Sequence, residues 1–84
     1  MATVVWQPSA RQDLQEIPLY LRHRLHDIAD RLARWPAVSG AKPLRHELTG
    51  HYRLRTGDYR IIFRVVAAEI WIVRVGHRKD IYED

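Results

Sequence analysis

Cysteine is absent from this chain of 84 residues. That single absence excludes disulfides, thiolate nucleophiles and Cys-type zinc sites. No apolar run approaches the ~20 residues needed to span a bilayer. The opening MATVVWQPSA also lacks the cationic start and long apolar stretch of a secretory signal. A soluble cytoplasmic protein with no membrane partner is therefore expected. Lysine is scarce as well: of 14 basic residues, all but Lys42 and Lys79 are arginine. There is no internal repeat and no low-complexity tract, and the length leaves room for one domain, residues 1–84, with one core.

What is present is an ordinary apolar fraction, 46%, joined to a net charge of +4. The first rules out a disordered basic tail. The arginine bias favours phosphate or RNA recognition, because a guanidinium offers a planar, permanently charged fork that grips phosphate through two hydrogen bonds. A GC-rich genome would produce part of the same bias, chiefly on the helices.

Along the chain, Thr3–Trp6 reads as a short strand closed by Pro8. Ser9 suits the N-cap of a helix carrying Ala10, Leu14 and Ile17 on one face. A second helix starts at Pro18 and carries Leu21, Leu25, Ile28, Leu32 and Trp35 as an apolar stripe, up to Pro36. That stripe, with Trp6, is expected in the core. After a loop, Leu44–Leu48 reads as a short strand or turn. Period-two alternation then predicts strands at Tyr52–Thr56, Tyr59–Val66 and Glu69–Gly76, with a short final segment near Ile81. The order β-α-α-β-β-β is α+β: two N-terminal helices packed on one face of a small, mostly antiparallel sheet.

Gly57-Asp58 suits a two-residue type II′ hairpin. The pairing would then run Thr56–Tyr59, Arg55–Arg60, Leu54–Ile61 and Arg53–Ile62. Arg53, Arg55 and Arg60 share one face; Tyr52, Leu54, Tyr59, Ile61 and Phe63 share the other. Like charges opposed across strands destabilise a sheet, so three arginines there point to an anionic partner. A merely solvated face would more often mix signs. In the next strand Arg74 has the parity of Ile70 and Ile72, and an ion pair with Glu69 or Asp80 is expected for it. Beyond it, Gly76, His77, Arg78, Lys79 and Tyr82 bring an imidazole, a guanidinium and a phenol to the end of the sheet.

The run LTGHYRLRTGDYRIIF followed by VGHRKDIY resembles the RelE/ParE superfamily of toxins from type II toxin–antitoxin systems, and the resemblance extends over the whole chain. It implies a RelE-like fold. In the RelE-like branch it implies a ribosome-dependent endonuclease that cuts mRNA in the A site, without metal or other cofactor, by driving the ribose 2′-hydroxyl onto the adjacent phosphate. Carried over by position, the catalytic set is Arg53, Arg55, Arg60 (transition-state cation), Arg78 and Tyr82 (base stacking). Arg45, His51, Arg64 and Lys79 would help to hold RNA. The founding member has lysines at the positions of Arg53 and Arg55, and arginine is a poor proton acceptor. The general base therefore falls to His77, with His51 and Glu47 as alternatives. The same resemblance leaves open a ParE-like inhibitor of DNA gyrase, or a weakly catalytic homologue acting as an antitoxin-binding co-repressor. The implied partners are the ribosome, mRNA and a cognate antitoxin, in a hetero-oligomer that could sit on operator DNA.

Overall fold

A computed structural model describes residues 1–81. The elements are β1 (Thr3–Trp6), α1 (Pro8–Gln15), α2 (Leu19–Asp30), β2 (Lys42–Pro43), β3 (His51–Thr56), β4 (Tyr59–Val66) and β5 (Glu69–His77). They form one five-stranded sheet in the order β1-β5-β4-β3-β2. β1 runs parallel to β5, and the other pairings are antiparallel. The α+β arrangement read from the alternation is the one observed. Among the described residues, no helix is long and apolar enough to cross a membrane.

The helices cover one face of the sheet. Leu14, Ile17, Leu25, Ala29 and Leu32 are buried against Leu54, Ile61, Phe63, Ile70, Ile72 and Val75. Leu21, Ile28, Trp35 and Trp6 are half-buried at the margin of the same cluster, so the helical stripe serves the core. α2 ends at Asp30, and its last turn tightens into a 3₁₀ segment, Arg31–Arg34, before Pro36. The opposite face carries a smaller cluster, Leu44, Ile62 and Ile81, flanked by Leu48 and Val73.

Two local expectations need correction, and for Leu44–Leu48 the turn alternative is the one observed. Ser9 does not cap α1: Gln7 holds the N-cap position, Pro8 begins the helix, and the Ser9 hydroxyl donates to the Val73 carbonyl of β5. Proline's fixed φ starts the helix two residues earlier. The Val73 carbonyl is available because β1 pairs with β5 only as far as Ile72. The segment Leu44–Leu48 is a 3₁₀ turn at His46–Leu48, preceded by the two-residue β2. Near Ile81 there is a turn in place of a strand.

The parity of β5 also changes partway. Ile62 pairs with Arg74, whereas Phe63 pairs with Ile72, so Val73 is an extra residue in a bulge. A bulge reverses the alternation beyond it. Ile70 and Ile72 face the helices, and Val75 resumes that role. Arg74 pairs with Asp13 of α1, Nε to Oδ2 at 2.8 Å, and not with Glu69 or Asp80. The Asp13 Oδ2 atom also accepts the Val75 N–H at 2.9 Å, tying α1 to the open edge of β5.

Candidate functional site

The β3–β4 register matches the alternation: Thr56 opposes Tyr59, Arg55 opposes Arg60, Leu54 opposes Ile61 and Arg53 opposes Ile62. Gly57 has φ +58, and Asp58 is not among the residues with positive φ, which is the signature of a type II′ turn. Arg53, Arg55 and Arg60 therefore lie on the face the helices leave uncovered. Their exposure is unequal. Arg55 is exposed, whereas Arg53 and Arg60 each retain only 7% of their accessible surface. Buried guanidinium groups require hydrogen bonds. Arg60 donates through Nη1 to the carbonyls of Gly57 and Tyr59, at 3.2 Å each.

The sequence reading missed a further cation. Lys42 of β2 directly opposes Arg53 of β3, so it joins the same face. A two-residue strand has no periodicity to reveal it; only the pairing does. Gly76 opposes Arg60 on the far side of β4, and a Cβ there would stand 3.0 Å from Ile81 Cγ1. The missing side chain lets the C-terminal turn close over the sheet beside Arg60.

Arg78 is brought to the hairpin tip. Its backbone N–H donates to the Asp58 carbonyl at 2.7 Å, and its Nε lies 3.7 Å from Asp58 Oδ1. Arg60 and Arg78 thus converge on the two turn residues, one on Gly57 and the other on Asp58. Arg64 and His51 oppose one another at the far end of the same face. Arg45 and Lys79 are exposed, and Glu47 is exposed on the 3₁₀ turn. Tyr82 lies outside the described residues.

His77 is not with the arginines. It opposes Tyr59, with ring centroids 5.5 Å apart, and so shares the helix-side face. Its Nδ1 accepts the Lys79 N–H at 3.1 Å. The sequence grouped it with Arg78 by proximity along the chain, but one residue of strand is enough to change faces. On the arginine face the imidazole is His51, four residues and ~13 Å of strand from Arg55.

The chain matches the family model for the ParE toxin of type II toxin–antitoxin systems, parDE, over residues 4–82. It is 39% identical over 83 residues to the toxin RelG of Mycobacterium tuberculosis, covering 95% of this chain and 94% of RelG. Its fold superimposes with a TM-score of 0.82 on a chain of the RelBE2 toxin–antitoxin complex of the same organism, at 35% identity, covering 92% of this chain and 98% of that one. The isolated E. coli RelE toxin shares the fold at a TM-score of 0.74 and 14% identity, over 92% of this chain and 84% of RelE.

Proposed function

Because the chain belongs to the ParE toxin family of type II toxin–antitoxin systems, we propose that it acts as a cytoplasmic, ribosome-dependent mRNA endonuclease. The observation that carries this reading is the direct opposition of Arg55 and Arg60, with Arg53 and Lys42 alongside, on the sheet face opposite α1 and α2. In the proposed reaction the ribose 2′-hydroxyl gives up its proton to solvent as its oxygen attacks the adjacent phosphorus. The bond to the 5′-oxygen breaks and that oxygen takes a proton from solvent, leaving a 2′,3′-cyclic phosphate and a 5′-hydroxyl. Negative charge accumulates on the equatorial oxygens, where preoriented guanidinium groups act most strongly because they are shielded from water. Arg60 is suited to that role by its burial and its two carbonyl anchors. Arg55, exposed, would gather the approaching backbone, and Arg78 would flank the leaving group.

Programmed ribosomes incubated with the protein should yield mRNA ends mapping within the A-site codon. R60A should lower the cleavage rate by a factor of about 10² or more. Undisturbed translation and intact mRNA would overturn the reading. The ParE designation of the matching family favours a second reading, gyrase inhibition. Supercoiling assays with excess protein separate the two: a nuclease leaves supercoiling unaffected. Under either reading the expected partner is an antitoxin, as in the similar M. tuberculosis complex. An acidic wrapping segment would complement the charge of +4.

A further inference from the structure

β5 ends at His77, and the chain then turns back over the sheet. The hydrogen bonds inside this turn all end on His77. Its carbonyl accepts the N–H groups of Asp80 and Ile81, at 2.8 and 3.1 Å, and its Nδ1 accepts that of Lys79 at 3.1 Å. Such bonds close the turn on itself. They do not fix where it lies on the sheet.

Two attachments do that. The Arg78 N–H donates to the Asp58 carbonyl at the hairpin tip, 2.7 Å away. Ile81, 7% exposed, sits against Leu44 and Ile62, with Leu48 and Val73 at the margin. Arg78, Lys79 and Asp80 are exposed, so Ile81 is the one buried side chain of residues 78–81. The contact of Arg78 with Asp58 is a poor anchor. Nε and Oδ1 are 3.7 Å apart and both side chains are more than half exposed, a kind of pair that contributes little. Apolar burial is the larger contribution. Its geometry is also tight: a Cβ on Gly76 would stand 3.0 Å from Ile81 Cγ1 and 3.1 Å from Cδ1, so the isoleucine rests on bare β5 backbone. We propose that Ile81 is the positioning residue for Arg78. Seated on Gly76, it fixes the whole turn and thereby holds Arg78 at the hairpin tip, facing the two residues that Arg60 also engages. The effect on cleavage rests on Arg78 taking part in the proposed reaction; the placement itself does not.

Two measurements on the full chain test this. In hydrogen exchange followed by NMR, I81A should speed exchange of the Arg78 amide by about tenfold or more, with the signals of β1 and α2 unmoved as evidence of an intact fold. I81V, which keeps most of the buried surface, should behave as wild type. Undiminished protection of the Arg78 amide in folded I81A would overturn the proposal. In single-turnover cleavage on programmed ribosomes, I81A should lower the rate constant at saturation by about tenfold to a hundredfold, the scale of a misplaced group. The half-saturating concentration should stay near that of wild type. In an R78A background I81A should cost nothing further, because both changes remove the same interaction. An equal loss with and without Arg78 would overturn the positioning role. Cleavage by R78A at the wild-type rate would count against Arg78 in the reaction, and no cleavage by wild type against the nuclease reading. In both cases faster exchange at Arg78 in I81A would still support the placement.

Discussion

Asp13 accepts from two donors of different worth. The Arg74 guanidinium is largely solvated, and exposed ion pairs contribute only ~0–1 kcal/mol. The Val75 N–H belongs to a residue that is 2% exposed, and stranding a buried donor costs ~1–3 kcal/mol. D13A should therefore lower stability more than R74A does, and urea denaturation of the two variants would show the order. The charge contact has no role in pH dependence over the usual range. Hydrogen bonding to Asp13, assisted by its charge and opposed by desolvation, raises the Arg74 pKa above its ordinary value. A raised pKa stabilises the fold below the unfolded value and is lost only as pH climbs through the folded one, in strong alkali. Unfolding midpoints of wild type and R74A should accordingly differ by a constant amount between pH 6 and pH 9.

Elements are joined here by turns of one geometry and unequal chemistry. Both hairpins have two-residue loops, Gly57-Asp58 between β3 and β4 and Ala67-Ala68 between β4 and β5. The first loop residue has positive φ in each, +58 at Gly57 and +54 at Ala67. Glycine adopts that conformation freely, whereas an L-residue with a Cβ pays ~1–2 kcal/mol. A67G should stabilise the protein by about 0.5–1 kcal/mol, a rise in melting temperature of several degrees for a domain of this size. G57A should destabilise it by a similar amount, because a Cβ there meets nothing within 4 Å and only the backbone term remains. Calorimetry on the pair tests both. A G57A effect on cleavage larger than its effect on stability would mean that the turn positions Arg60, whose guanidinium donates to the Gly57 carbonyl.

At the scale of the whole molecule, the division is between a face that holds the fold and a face that holds charge. F63A, at the centre of the helix-side core, should cost ~3–5 kcal/mol and unfold much of the population. R55A, at an exposed position of the cationic strip, should leave the melting temperature nearly unchanged. Its signature lies in binding. With Lys42, Arg53, Arg55 and Arg60 each meeting one phosphate, log K for a short single-stranded RNA should fall with log salt at a slope near −3, from about −0.7 per contact. R55A should flatten that slope by about 0.7. A slope near zero would show that the strip does not bind RNA backbone.

The strand alternation from Tyr52 to Phe63 by itself determined the β3–β4 register, because period two and a glycine turn admit a single pairing that buries one face. The helical stripe ending at Trp35 likewise determined which side of α2 meets the core. Three features were decided only by the tertiary structure. The bulge at Val73 moved Arg74 to Asp13, since a bulge belongs to a pair of strands and leaves no mark in either alone. Lys42 joined the cationic face through pairing between residues eleven apart. His77 left it, because neighbours along a strand point to opposite faces and only the register with Tyr59 says which face is which. Local periodicity sets what a strand buries; the partners across the sheet set which charges meet.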